Sequence, residues 1–292
     1  MDVMIPTVDR RPGKLWAFLQ FPLTRFLLGA AAIVLWIVAV EVGLHAAHIP
    51  GRSPLGALAA LIIAAGAIAL YCSLVRFIER RPVTELAADG AAKHLSRGII
   101  TGAILFCASM LTMKLAGGWD YTGLAPLSVL IYPCVASLMA GVQEELLVRG
   151  LLFRLVEERL GSWIALAVSA LIFGLLHAFN PGATAVSTAA IALEAGILLG
   201  AAYMYTRSLW FVIGLHFAWN FTEGGIFSTS VSGSRAEGMI GVQFTGSDTL
   251  TGGSFGPEAS LPAVLVCLAA GIAFIILARR SGRVVPPFWK RK

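Results

Sequence analysis

The sequence carries very little charge for its length. Only 13% of its 292 residues are Asp, Glu, Lys or Arg, whereas a soluble domain carries about 25%. Apolar residues make up 58% of the chain, and the mean hydropathy is +0.82. No polar stretch is long enough to bury a core of its own, so the composition predicts one integral membrane domain over residues 1–292.

Cysteine chemistry and nucleic-acid binding are also poorly represented. The four cysteines (Cys72, Cys107, Cys134 and Cys267) lie in apolar runs and form no C-x-x-C pair, which is typical of core residues rather than of a zinc ribbon. The net charge of +6 comes from basic residues beside apolar segments, a pattern that sets membrane topology. No nucleic-acid partner is expected.

Several common protease signatures are missing. The sequence contains no His-Glu-x-x-His and no Gly-x-Ser-x-Gly, which argues against a zincin and a serine hydrolase of the elbow type. All the aspartates fall outside the apolar segments, which argues against an intramembrane aspartyl dyad. They are Asp2, Asp9, Asp89, Asp120 and Asp248.

Long apolar segments dominate what remains. A helix needs about 20 apolar residues to cross the hydrocarbon core, and eight segments approach that length, of which the fifth and seventh are short. They cover residues 26–46, 54–77, 98–117, 126–148, 163–178, 183–205, 209–221 and 261–278. The predicted fold is an all-α polytopic bundle of about eight spans, with a catalytic core at about 126–222.

The distribution of Lys and Arg predicts the orientation of these spans. With the N-terminus inside and eight crossings, 19 of the 22 basic residues fall on the cytoplasmic side, as the positive-inside rule requires. Both termini are then cytoplasmic. The Gly- and Ser-rich segment 223–260 is predicted to be a loop on the outer side that caps the bundle.

The fourth segment contains the sequence Gln-Glu-Glu-Leu-Leu-Val-Arg, which places three ionisable groups in an apolar helix. Glu145 and Arg149 are four residues apart and can pair on one face, while Glu144 points about 100° away. Ionisable groups within a bilayer usually serve a function. The alternative is that both carboxylates lie at a membrane interface beside Arg149.

Two histidine motifs follow. Glu144 lies 17 residues before Gly161 and His177 lies 16 after it, so an antiparallel helical hairpin brings them to the same depth, about 24 Å from the turn. His216 and Asn220 share a helical face and can both donate hydrogen bonds. Taken singly, His177 also fits a core histidine, and His216 with Asn220 also fits a polar contact between helices.

Together these motifs resemble the CAAX prenyl protease and bacteriocin-processing family (CPBP, or Abi) of intramembrane proteases. The family pattern is Glu-Glu-x-x-x-Arg, then Phe-x-x-x-His, then His-x-x-x-Asn. The matching residues here are Glu144, Glu145 and Arg149; Phe173 and His177; and His216 and Asn220. The resemblance covers roughly residues 80–260 and leaves the first two spans unexplained.

The resemblance implies hydrolysis of a peptide bond in a membrane-associated protein or peptide. Glu144 and His177 would activate a water, His216 and Asn220 would stabilise the oxyanion, and Glu145 and Arg149 would support the fourth helix. The bacterial members imply a multi-pass protein of the cytoplasmic (inner) membrane. The substrate is not specified.

Two questions stay open at this level. Glu144, His177 and His216 also form a possible zinc set, since catalytic zinc usually takes three protein ligands, so the enzyme is either a metalloprotease or a glutamate-dependent protease without metal. Outside the enzymes, the alternative is a transporter or a scaffold that confers immunity to a toxin. No repeated, broken helices of the transporter kind are visible.

Overall fold

The computed structural model describes residues 13–291, which form a helical bundle. Of the described residues, 74% are helical. The helices are α1 (Lys14–Leu19), α2 (Pro22–Ala46), α3 (Pro54–Ser73), α4 (Ala91–Leu115), α5 (Ile131–Glu145), α6 (Arg154–Leu160), α7 (Ser162–Leu176), α8 (Ala185–Ile191), α9 (Ile197–Thr206), α10 (Leu209–Asn220), α11 (Asp248–Thr251) and α12 (Leu261–Arg280).

Seven helical stretches within residues 13–291 are long and apolar enough to cross a membrane, so the chain is a multi-pass membrane protein. They are Pro22–Ala46, Pro54–Ile78, Ala91–Leu115, Leu127–Leu160, Ser162–Phe179, Ala185–Thr206 and Leu261–Arg280. Each corresponds to a predicted span. The remaining predicted span, residues 209–221, is the helix α10, which has 12 residues and is too short to meet the same criterion.

π-helical turns extend several of these helices. Leu146–Phe153 joins α5 to α6, and Ala192–Gly196 joins α8 to α9, so each pair forms one continuous rod. The α5–α6 rod ends at Gly161, whose φ of +80° suits glycine. The predicted helical hairpin with its turn at Gly161 is therefore present in the structure.

The predicted all-α fold describes most of the structure, but one region contains a pair of strands. β1 (Trp119–Leu124), in the connection between α4 and α5, pairs antiparallel with β2 (Ile240–Phe244), in the 223–260 segment. That segment also contains α11 and begins as a π-helical turn, Phe221–Ile226. The strands are short, contain glycine and are more than 100 residues apart, so no local pattern marks them.

α10 lies at the centre of the bundle against α4, and glycines allow the close approach. A Cβ added at Gly98 would lie 2.1 Å from the carbonyl oxygen of Phe211, and one at Gly102 would lie 2.2 Å from that of Leu215. Small residues let helix backbones approach closely in membranes. This contact fixes the height and rotation of α10, which carries two predicted site residues.

Ion pairs tie α2 and α3 to the α5–α6 rod at the basic end of the bundle. Arg154 donates two hydrogen bonds to Glu79, of 2.9 and 2.6 Å. Arg25 donates to both oxygens of Glu158 at 2.8 and 2.7 Å. The first two spans are thus attached to the helix that carries Glu144.

Glu85, in the connection between α3 and α4, belongs to the same end of the bundle. Arg81 donates to both of its oxygens at 2.9 and 2.7 Å, and the Tyr71 hydroxyl also donates to it. Burial raises the pKa of Glu85, but the hydrogen bonds from Arg81 and Tyr71 outweigh burial and lower the pKa to about 2. Glu85 is therefore ionised at neutral pH.

Candidate active site

Glu145 and Arg149 form the predicted ion pair, and both side chains are fully buried. The Arg149 Nη1 donates to Glu145 Oε1 at 2.8 Å. The same oxygen lies 2.9 Å from Nδ1 of His216. Because a carboxylate only accepts, Nδ1 donates, and Glu145 thereby orients the imidazole of α10 from the neighbouring helix α5.

Arg149 also connects α5 to the α8–α9 rod. Its Nη2 donates to the carbonyl oxygens of Ala195 and Gly196, both at 3.2 Å. Its guanidinium lies 4.5 Å from the ring centroid of Phe173, a cation–π distance. One buried side chain therefore contacts three helical elements around the site.

Glu144 faces in the other direction and stays free, as its position on the helix predicts. Its Oε2 is buried and has no hydrogen-bond partner among residues 13–291. Two imidazole nitrogens face this oxygen, Nε2 of His177 and Nε2 of His216, each at 3.9 Å. At that separation a water molecule beside the two atoms can form a hydrogen bond to each of them.

His177 is held by its own helix end. Its Nδ1 lies 2.8 Å from the carbonyl oxygen of Phe173, which can only accept, so Nδ1 carries a proton. The Phe173 and His177 rings are 4.7 Å apart between centroids. The Phe-x-x-x-His spacing thus fixes both the tautomer and the direction of the imidazole, leaving Nε2 to face Glu144.

The predicted site residues line one cavity of about 290 Å³. Glu144, His177, His216 and Asn220 are all among its lining residues. Asn220 is buried, one turn beyond His216 on the same face of α10. The structure therefore brings together the four residues that the sequence predicts to be catalytic.

The 223–260 segment forms a wall of the cavity that the sequence did not predict. Ser232 lines the cavity and is held on both sides. Its backbone N–H and hydroxyl donate to Glu258 Oε2 at 2.8 and 2.6 Å, and its carbonyl accepts from Asn180 at 3.0 Å. Gly233 follows at φ +84°, where an added Cβ would meet the Pro181 carbonyl oxygen. Only the glycine and serine content of this segment hinted at such a turn.

Two more buried carboxyl groups lie close to Glu258. Glu194 and Glu223 are each at most 1% exposed, and neither forms an ion pair within the described part of the chain. Glu194 lines a small second cavity of about 20 Å³ together with His177, His216 and Glu258. More carboxyl groups therefore lie near the site than the sequence motifs indicate.

Glu144 lies farther from His177 and His216, the other possible zinc ligands, than ligands of one bound zinc lie from each other. Ligands that share one tetrahedral zinc lie about 3.3 Å apart, given bond lengths of about 2.0–2.1 Å. Here Glu144 Oε2 lies 3.9 Å from Nε2 of His177 and 3.9 Å from Nε2 of His216. Within residues 13–291, no three His, Cys, Asp or Glu side chains form a group close enough to hold an ion. The donor chemistry nevertheless fits, since each Nδ1 is held and each Nε2 faces the site, as in zinc-bound histidine.

Comparison with known proteins finds one family whose model matches the part of the chain that carries these residues. No curated protein and no solved structure matches the chain. A family model, described as type II CAAX prenyl endopeptidase Rce1-like, matches residues 125–222, about one third of the chain. All three motifs lie within that match. The resemblance to the CPBP family is therefore confirmed over residues 125–222, which are similar to the Rce1-like type II CAAX prenyl endopeptidases.

Proposed function

We propose that this protein is an intramembrane endopeptidase that hydrolyses a peptide bond in a membrane-associated protein or peptide. The observation that carries the proposal is that Glu144, His177, His216 and Asn220 line one cavity inside the segment that matches the protease family. A carboxylate without a hydrogen-bond partner in such a cavity is a candidate general base.

In the proposed reaction a water lies between Glu144 and His177. Glu144 removes a proton from the water, and the water oxygen attacks the carbonyl carbon of the scissile bond. The proton then passes to the amide nitrogen as the C–N bond breaks, so Glu144 ends the cycle as a carboxylate. The His177 Nε2, with Nδ1 tied to Phe173, orients the water.

The tetrahedral intermediate carries a negative oxygen that needs donors. His216 and Asn220 are proposed to supply them from one face of α10. In this role His216 carries a proton on Nε2 as well as on Nδ1, and Glu145 stabilises that cation at 2.9 Å. Glu145 and Arg149 are accordingly supporting residues that position His216 and the α5 helix.

The decisive test is turnover by purified full-length protein in detergent against a panel of membrane-proximal peptides. Glu144→Gln and His177→Ala are expected to lower kcat by about 10²- to 10⁴-fold, with little change in melting temperature. A transporter or an immunity scaffold would tolerate Glu144→Gln in its own assay. Wild-type turnover by Glu144→Gln would remove the proposed base.

A metal test separates the two forms of water activation. In the metal-dependent alternative, Glu144, His177 and His216 hold zinc, which would lower the pKa of a bound water. In the proposed form, no metal is required. Stoichiometric zinc in active protein, loss of turnover with a chelator and recovery on zinc addition would overturn the metal-free mechanism; full turnover after metal depletion would support it.

We also propose eight crossings with both termini on the cytoplasmic side. Residues 209–226 form a continuous helix about 27 Å long. Arg207, before this helix, donates to Glu157 at the basic end, whereas β2, after it, pairs with β1 at the other end. In this arrangement the catalytic cavity lies beneath the outer segment.

A further inference from the structure

A second cavity of about 310 Å³ lies between the first two spans and α5. Its walls come from the end of α2, the first half of α3 and the first half of α5. Small side chains on α3, including Gly56, Ala57 and Ala60, leave this space open. The family match begins at residue 125, so α2 and α3 are outside it.

This cleft adjoins the catalytic cavity. Tyr132 and Ala136 line both spaces. Ala136 is small, so the wall that separates the two is low on that side of α5. A peptide chain that reaches Glu144 therefore has a path along α5 into the cleft.

Glu41 gives the cleft a negative charge. It is the only carboxylate among the residues that line the cleft, which also include His45 and Tyr132. Neither Glu41 nor His45 forms an ion pair within residues 13–291. A carboxylate in a membrane helix is costly without a partner, so its position facing a cleft points to a cationic group that arrives with a ligand.

The rim of the cleft carries a contact to the outer segment. Arg52, in the α2–α3 connection, lies 5.0 Å from the ring centroid of Tyr132 and 3.2 Å from Glu237. Both partners of this ion pair are largely exposed, so the contact is weak and easily opened. Tyr132, at the junction of the two cavities, is thus held by a contact that a substrate can displace.

We propose that this cleft binds the part of the substrate next to the scissile bond and that Glu41 selects a Lys or Arg there. The inference rests on the proposed protease function and adds the substrate class. Along α5 the cleft extends from about 8 to about 18 Å from Glu144. An extended chain rises about 3.3 Å per residue, which places the basic residue about three to six residues from the scissile bond.

The test uses a peptide that the full-length protein cleaves in detergent, made in sets that differ at one position. Lys, norleucine or Glu is placed three to six residues from the scissile bond, on either side. At one of these positions the wild-type protein is expected to prefer Lys over norleucine by roughly threefold to tenfold in kcat/KM, through KM.

Variants connect that preference to the cleft. Glu41→Gln is expected to remove it and Glu41→Lys to reverse it in favour of Glu. Asp120→Asn, which changes a carboxylate on β1 outside the cleft, should keep it. Ala136→Leu should block the passage and raise KM for every long peptide, whereas Ala39→Leu on the exposed face of α2 should not.

The outcomes separate the cleft from the protease function. Cleavage that depends on Glu144 but shows no preference for Lys at any position would overturn the cleft inference and leave the protease. If no peptide is cleaved, the protease proposal fails, and photo-crosslinking of a Lys peptide to Glu144→Gln protein still tests the cleft. Labelling of residues 41–63 by the Lys peptide, reduced in Glu41→Gln/Glu144→Gln, supports the cleft; equal labelling by the norleucine peptide overturns it.

Discussion

Glu144 and Glu145 are neighbours in the chain but have opposite surroundings. Glu145 is fully buried and bonded to Arg149 and His216. Glu144 faces the cavity with an oxygen that has no hydrogen-bond partner among the described residues. One step of about 100° around a helix separates a structural carboxylate from a candidate base. Helical periodicity was enough to predict this division from the sequence.

The contact between Glu145 and His216 could not be predicted from the sequence. The two residues are 71 positions apart, and nothing local marks the pairing of α5 with α10. The sequence assigned Glu145 to Arg149 alone. In the structure Glu145 accepts hydrogen bonds from both Arg149 and the His216 imidazole. It therefore stabilises the fold and also orients His216 in the site.

Arg149→Ala tests the structural half of this arrangement. The change leaves Glu145 buried without its cation, and removing one partner of a buried pair lowers the free energy of unfolding by about 3–5 kcal/mol. We expect a clear fall in the melting temperature of the detergent-purified protein. Arg280→Ala, at an exposed position, is the control and should melt like the wild type.

The double variant Glu145→Leu/Arg149→Leu sharpens this experiment. Removing both charges together leaves no unpaired ion, so part of the lost stability should return relative to Arg149→Ala. An Arg149→Ala protein as stable as the wild type would show that the pair contributes nothing to the fold.

At the scale of the helices, α10 is positioned by the glycine contact with α4 rather than by its length. The sequence predicted residues 209–221 as a span from hydropathy alone. In the structure α10 ends at Asn220, and the π-helical turn Phe221–Ile226 continues it. Its neighbours set where it lies. Gly102 contacts Leu215, the residue before His216, so the packing of α4 and the geometry of the site are connected.

Gly102→Val is expected to disturb both. A Cβ there would lie 2.2 Å from the Leu215 carbonyl oxygen, so α10 must move, and overpacking of this kind costs about 1–3 kcal/mol. We expect a lower melting temperature and a lower kcat, although Gly102 contacts no reacting group. Gly43→Val is the matched control, because no atom lies within 4 Å of a Cβ at Gly43. Equal effects of the two variants would contradict this account.

The 223–260 segment shows where sequence patterns lose their predictive value. Residues 223–260 lack periodicity and were predicted to be a loop, but they contain β2 and α11. Their order depends on distant partners: β1 for the strand, and Asn180 for Ser232. Ser232, Glu258 and Arg235 therefore could not be assigned to the site beforehand, although Ser232 and Arg235 line its cavity.

At the scale of the whole molecule, two contacts fix which connections lie at the same end of the bundle. The β1–β2 pairing brings the 223–260 segment to the connection between α4 and α5. At the opposite end, Arg207 contacts Glu157 near the turn at Gly161. The number of crossings and their direction follow from these contacts only when combined with the distribution of Lys and Arg in the sequence.

Reporter fusions test both the number of crossings and their direction. Fusions after Asp89 and Gly161 should read cytoplasmic, and fusions within residues 233–256 should read external, because the basic residues accumulate at the Gly161 end. A fusion in the α4–α5 connection, at Gly123, serves as the internal control, since paired strands must lie on one side of the membrane. If Gly123 reads external and 233–256 cytoplasmic, α10 does not cross and the paired strands are wrong. If every fusion reads on the opposite side, the eight crossings stand, but the catalytic cavity opens toward the cytoplasm and substrates must reach it from there.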